Sequence, residues 1–224
     1  MIELYIFDMG GVLCRDFDIG PEAARRLGIG VGAFRAWMEP DVMAFMRGEF
    51  EGPEFWRRFG ARAGLDIHEN YWTTLFRPRL DKPTVDLVRE LADGASAGGS
   101  RVVCGTNTIA EHYAIHREKG QYDGFHAVYA SHLMGRAKPE PEFWLDILKA
   151  EGVAPGRAFF VDDFPENVEA ARALGIESRL YVSADVLRAD LLALGAPLGP
   201  GRPRAQAADP SRGAPRAGEP ARVG

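Results

Sequence analysis

Five short apolar runs, alternating with helical stretches that open on proline or serine and close on glycine, restrict this chain to very few architectures. Ile2–Phe7, Arg101–Cys104, Ala127–Ala130, Ala158–Val161 and Arg179–Val182 are β-branched or aromatic and bounded by turn residues, so each predicts a strand. Between them, Thr84–Ala92 follows Pro83 and stops before Gly94, and Glu140–Glu151 follows Pro139 and stops at Gly152. Pro165–Leu174 ends at Gly175, and Ala184–Leu194 follows Ser183 and ends at Gly195. Proline presets the first helical turn and glycine accepts the left-handed residue past the last one. Strands separated by helices cannot pair as hairpins. Right-handed crossovers then make an α/β fold, a doubly wound parallel sheet with helices on both faces.

One stretch breaks the alternation. Between about Arg15 and Leu80 no convincing strand is evident, and aromatic-rich helical patterns take over: Glu22–Leu27, Ala33–Met46, Pro53–Ala63 and Tyr71–Phe76. Phe55, Trp56 and Phe59 share one face, as do Phe34, Trp37 and Met38. The expected organisation is a core of residues 1–14 and 81–198, an inserted α-helical cap domain of residues 15–80, and a tail of residues 199–224. A helical insertion directly after the first strand would hang over the carboxyl end of the sheet and close on a ligand held there. Trp37, Trp56, Trp72 and Trp144 are expected to pack in the cap and core rather than stack on substrate.

With 46% of residues apolar and 26% charged, the chain can build an ordinary soluble core. No apolar run approaches a membrane span, and no secretory leader pattern is evident, so a cytoplasmic protein without membrane partners is expected. Cys14 and Cys104 form no CxxC pair and read as two inert, buried thiols. A net charge of −5 argues against a nucleic-acid footprint on the folded part. The tail is rich in Gly, Pro, Ala and Arg, and its Arg202, Arg204, Arg212, Arg216 and Arg222 face only Asp209 and Glu219. A disordered basic extension is expected there, since it has too little apolar surface to offset its ordering entropy.

Four clusters fall at the carboxyl ends of strands or on adjoining loops, where open α/β sheets bind ligands. Asp8 ends the run Tyr5-Ile6-Phe7 and precedes Gly10-Gly11. Gly105-Thr106-Asn107 follows Val102-Val103-Cys104. Lys138 stands just before a helix, and Asp162-Asp163 follow Phe159-Phe160-Val161, with Glu166 and Asn167 beyond. Asp8 alone could be a turn former and Asp162-Asp163 alone a helix cap. Together they make a phosphoryl-transfer site. Separated carboxylates supply hard oxygen ligands for Mg²⁺, and the lysine supplies a point charge for phosphate or for the nucleophile's carboxylate. A hydroxyl donates to phosphoryl oxygens, and a carboxylate can attack phosphorus, splitting one hydrolysis into two steps.

This set, in this order, resembles the haloacid dehalogenase superfamily, over about Met1 to Gly195. The insertion is similar to that superfamily's helical cap, in Arg47-Gly48-Glu49-Phe50 through Phe55-Trp56. A glycine two residues after the first Asp is similar to the α-D-glucose-1-phosphate phosphatase branch. The resemblance implies Asp8 as nucleophile and Mg²⁺ ligand, the Gly10 carbonyl and Asp163 as further ligands, and Asp162 and Asn167 as supporting ligands. It implies that Thr106 and Asn107 bind phosphate, while Lys138 holds Asp8 and phosphate together. The expected partner is a small phosphorylated metabolite, with a sugar phosphate one such candidate.

Gly10 departs from the common pattern. Most phosphatases of this superfamily carry Asp there as general acid and base, and losing such a group removes typically about 10²–10⁴ in rate. Either the leaving group is acidic enough to depart unaided, or another residue relays the proton, with Asp16, Asp18 and Glu49 as candidates. A 2-haloacid dehalogenase-type hydrolase is the enzymatic alternative, and a catalytically degenerate phosphate-binding or interaction module is the non-enzymatic one. His112 and His116, spaced i and i+4, are expected on a surface helix face rather than at a metal.

Overall fold

The computed structural model describes residues 1–199, so all of the basic tail except Gly199 lies outside the described residues. In chain order, β1 is Leu4–Phe7 and β2 is Cys14–Arg15, followed by helices α1 (Gly20–Arg26), α2 (Val31–Met46), α3 (Gly52–Ala63) and α4 (Tyr71–Thr74). Next come β3 (Arg79–Leu80), α5 (Lys82–Gly98), β4 (Arg101–Thr106), α6 (Ala110–Glu118), β5 (Ala127–Ala130), α7 (Ser131–Met134) and α8 (Pro141–Glu151). The chain continues through β6 (Ala158–Asp162), α9 (Pro165–Ala173), β7 (Glu177–Leu180) and α10 (Ala184–Ala193).

Five strands form one parallel sheet in the order β5-β4-β1-β6-β7. Every residue of β1 is buried, which explains its unbroken apolar sequence: a parallel strand covered on both faces has no polar side. Tyr5 and Phe7 point toward Leu87 and Leu91 of α5 and Leu187 and Leu191 of α10. Leu4 and Ile6 point the other way, toward Phe143, Trp144 and Ile147 of α8. Register sets the rest. Phe7 lies beside Cys104 of β4 and Val161 of β6, so the strand ends carrying Asp8, Thr106 and Asp162 share one edge.

The helical insertion leaves the core through a narrow neck. Cys14 and Arg15 pair antiparallel with Leu80 and Arg79, and the Asp81 N–H donates to the Leu13 carbonyl at 2.8 Å. This ribbon corrects the expectation of no strand in that stretch; two residues per strand are too few to leave a periodic pattern. Inside the insertion, Phe34, Phe45, Phe55, Trp56 and Phe59 form a separate aromatic core.

Among the boundaries that differ from expectation, two have a clear physical cause. Helix α5 runs through Gly94 and ends at Gly98, with Gly99 as its left-handed cap. Gly94 is there for closeness, since a Cβ at that position would collide with the Pro197 carbonyl. Strand β7 begins at Glu177 rather than Arg179, because pairing with β6 at Phe159 recruits the polar residues, while Leu180 and Val182 run out exposed. Both cysteines are free and buried, and burial pushes the Cys14 thiol up to about 12. No described helix is long and apolar enough to cross a membrane.

Candidate active site

The strand ends assemble a compact charged cluster at the edge of the sheet. Lys138 sits in the loop before α8, fully buried, and its Nζ reaches Asp8 Oδ1 at 2.8 Å, Asp162 Oδ2 at 2.6 Å and the Gly105 carbonyl at 3.1 Å. All three of its donors are therefore used. Burial works to lower its pKa, but the Asp162 and Asp8 carboxylates outweigh that and hold it above the ordinary lysine value.

Asn107 fixes the lysine loop. Its Nδ2 donates to the Lys138 carbonyl and its Oδ1 accepts from the Lys138 N–H, both at 2.8 Å. Thr106, at the last position of β4, is buried beside Asp8. Asp162 is fully buried and satisfied: its Oδ1 accepts from the Phe164 N–H at 2.8 Å, and its Oδ2 accepts from Lys138 and, at 3.1 Å, from Asn167 Nδ2.

Asp163 is different. It is half-buried, and its Oδ1 is sealed from solvent without a hydrogen-bond partner. Burial and then the neighbouring Asp162 carboxylate raise its pKa. Asp8, also buried, is pushed up to about 7, chiefly by burial and by Asp162 against the opposing pull of Lys138. One oxygen from each of Asp8, Asp162 and Asp163 lies within 4.8 Å of the others. Three carboxylates thus face one ammonium, all the ligand atoms are hard oxygens, and one of them is orphaned. This donor set suits a divalent cation such as Mg²⁺.

The two glycines after Asp8 play unlike parts. Gly11 has φ +73°, and a Cβ on it would fall inside the Asp163 carboxylate, so only glycine lets that acid approach. Gly10 does not have a left-handed backbone, and the nearest atoms to a Cβ there would be those of the Phe17 ring, from 3.5 Å. Where a carboxylate would stand, this chain has glycine and a phenyl ring.

A cavity of about 630 Å³ opens over Asp8, Thr106 and Lys138, between the sheet edge and the helical insertion. Asp18 and Glu166 are the acids on its wall apart from Asp8. Of the other proposed proton carriers, Asp16 is paired with Arg79, and Glu49 with Arg47 at 2.8 Å. Trp72 lines the cavity, while Trp56 and Trp144 are buried in packing and Trp37 stands edge-on to Phe59.

His112 and His116 are not on a surface face. His112 stacks on Phe76 at 3.6 Å and 7°, and His116 meets the same ring edge-on at 5.2 Å. Burial, with His116 adding to it, lowers the His112 pKa to about 3. The i, i+4 spacing places both on one side of α6 but does not say which side faces inward; the docked insertion decides it. Glu111 completes this seam by accepting from the Gly52 N–H and Asn70 Nδ2, each at 3.1 Å. Sequence reasoning did not find that platform, nor Phe17 and the cavity-facing residues of α2.

Residues 2–175 match the family model described as a hydrolase, haloacid dehalogenase-like hydrolase. A sesquiterpene phosphatase of Aspergillus oryzae is 32% identical over 180 residues, covering 76% of this chain and 85% of that protein. A D-ribitol-5-phosphate phosphatase of Bacteroides thetaiotaomicron is 25% identical over 191 residues, covering 80% and 91%. A family enzyme from the same bacterium, solved with magnesium and inorganic phosphate, superposes with TM-score 0.65 at 22% identity, covering 81% of this chain and 95% of that one. The chain belongs to the haloacid dehalogenase-like hydrolase family.

Proposed function

We propose that this protein is a Mg²⁺-dependent phosphatase that hydrolyses a small phosphorylated metabolite through an aspartyl phosphate on Asp8. The carboxylate cluster carries the reading: three acids within 4.8 Å, one lysine, and an orphaned Asp163 oxygen. Displacement at a carbon–halogen bond needs one nucleophilic carboxylate, and two more acids beside it would repel an anionic haloacid. Phosphoryl transfer uses such acids to hold a cation. The intact set of Asp8, Lys138 and Asp163 likewise speaks against a degenerate binding module.

In this reading Lys138 holds Asp8 Oδ1 and leaves Oδ2 for attack on phosphorus. The new P–O bond forms as the ester P–O bond breaks, and the departing alcohol oxygen takes a proton from water. Water then attacks the same phosphorus and frees Asp8. Thr106 donates its hydroxyl to the phosphoryl group, with Asn107 fixing the lysine loop beside it. Asp8, the Gly10 carbonyl and Asp163 would hold Mg²⁺, with Asp162 and Asn167 in support. Bound there, the ion would neutralise charge shared between the carboxylates and the phosphoryl oxygens. The two named relatives release unlike alcohols, a terpenoid and a polyol, and have the phosphate ester in common.

The test is phosphate release from p-nitrophenyl phosphate with Mg²⁺ and with EDTA, using Asp8→Asn as the blank. Metal-dependent release abolished in Asp8→Asn is the expected result. No release under any metal condition, or halide release from a haloacid in EDTA, would overturn the reading.

A further inference from the structure

The wall of the cavity, more than the charged cluster beneath it, describes the other half of the substrate. We propose that the phosphate ester taken by this site is that of a bulky apolar alcohol. This deepens the phosphatase reading and rests on it.

Helix α2 supplies most of the argument. Phe34, Met38, Val42, Phe45 and Met46 recur at helical spacing, and all five line the cavity. Phe34 and Phe45 are buried, but Met38, Val42, Met43 and Met46 are only partly covered. An apolar stripe on a helix normally disappears into a core; this one stops half-buried, over Asp8 and Lys138. Methionines are unbranched and polarizable, which suits an apolar ligand of irregular shape. Phe17 and Phe76 extend the wall, and Phe164 is exposed at the rim.

The polar inventory points the same way. Asp18 is the one charged side chain the insertion brings to the wall, and it is engaged, its Oδ1 accepting from the Gly20 N–H at 2.8 Å and its Oδ2 facing Arg35 at 3.4 Å. Trp72 adds an indole N–H. Across the cavity, Asn107, Asn167 and His116 have partners, the last through Gln121 at 2.6 Å, while His112 Nε2 is unpaired and Glu166 is exposed, so the free polar groups on that side are few. A polyol would bury several hydroxyls against methionine and phenylalanine, each unpaired one reducing affinity roughly tenfold.

Size agrees. At about 630 Å³ the cavity falls within the roughly 300–1,000 Å³ of sites that bury most of a drug-sized ligand.

The test is kcat/KM with Mg²⁺ for a series of 1-alkyl phosphates from ethyl to decyl, kept below micelle formation. Glucose-1-phosphate and glucose-6-phosphate run beside it, with p-nitrophenyl phosphate as the reporter of phosphatase chemistry. Each added methylene is expected to raise kcat/KM about threefold to fourfold until the cavity is full. Val42→Asp, with the milder Met43→Gln beside it, should flatten that dependence, read as the ratio of decyl to ethyl phosphate within each variant. Turnover of p-nitrophenyl phosphate with a flat alkyl series, or with a sugar phosphate preferred, overturns the apolar substrate and leaves the phosphatase reading standing. Silence on every ester, the reporter included, overturns both.

Discussion

Gly10→Asp is the substitution that most directly tests the proposal that this site works without an acid at that position. The backbone admits it, because Gly10 is not in the left-handed region and the atoms nearest an added Cβ are those of the Phe17 ring, at ordinary contact distances of 3.5–3.7 Å. Replacing glycine at such a position stabilises a fold by about 0.4–1 kcal/mol through the unfolded chain. A fourth carboxylate beside Asp8, Asp162 and Asp163 opposes that gain, so little net change in Tm is expected. The kinetic effect should be larger. A positioned general acid contributes about 10²–10⁴ in rate, or about 2.7–5.4 kcal/mol of barrier. With the Phe17 ring already in contact with the added Cβ, the lower end, about 100-fold, is the expected gain.

The gain should depend on the leaving group. An alkyl phosphate must expel a basic alkoxide and should speed up fully, whereas p-nitrophenyl phosphate leaves without help and should barely change. The assay is therefore kcat for both esters in the native protein, in Gly10→Asp and in Gly10→Ala, the last isolating the backbone effect. If Gly10→Asp folds normally yet leaves the alkyl rate and its leaving-group dependence untouched, the reasoning fails: the native site already has its proton carrier. Asp18 and Glu166 would then be the next residues to replace.

The neighbouring glycine should respond in the opposite sense. Gly11→Ala places a methyl group against the Asp163 carboxylate at a left-handed backbone position, so we expect about 1–3 kcal/mol of destabilisation and loss of metal binding, read by calorimetry. Asp163→Asn should raise Tm in EDTA, because it removes a crowded, partly buried charge, and should abolish the Tm gain that Mg²⁺ gives the native protein; a native protein indifferent to Mg²⁺ would refute this. His112, with its folded pKa near 3, stays neutral in the fold while the unfolded chain takes up a proton below about 6.5. Stability from this group is therefore lost as pH falls below that value, by about 2 kcal/mol at pH 5. His112→Phe keeps an aromatic ring against Phe76, and urea melts at pH 5 and pH 8 should show the difference between variant and native protein shrinking or reversing toward acid.

What could be read from sequence is what adjoining residues decide. Asp8, Thr106 and Asp162 follow directly from apolar runs, and parallel pairing in register brings the ends of β1, β4 and β6 to one edge. Lys138 precedes a proline-started helix that returns to the same edge. The division of labour among those residues was implied by the family resemblance alone and was not legible in the residues themselves. Nothing in Asp162-Asp163 says that the first is saturated by Lys138, Phe164 and Asn167 while the second keeps a bare oxygen. The two glycines look alike on paper, yet backbone torsion and the position of Asp163 make one replaceable and the other not.

The insertion hides more, because its chemistry depends on which way its helices face once docked. Phe34, Trp37 and Met38 share a helical face that the sequence suggests is packed, but in the structure Phe34, Met38, Val42, Phe45 and Met46 form the stripe, and two of those five are buried. The other three are left partly open by a tertiary fact. The insertion rests on α6 through Phe76, His112, His116 and Glu111, and on α8 through Arg47 and Glu140 at 2.7 Å, which leaves a gap above the sheet edge. The same seam gives α6 its inward-facing histidines. An apolar stripe is thus a core when its helix closes onto a neighbour and a binding wall when the closure stops short. Only the docking geometry separates the two, so the proposed nucleophile can be read from the strand it ends, whereas the alcohol proposed for the site must be read from the gap above it.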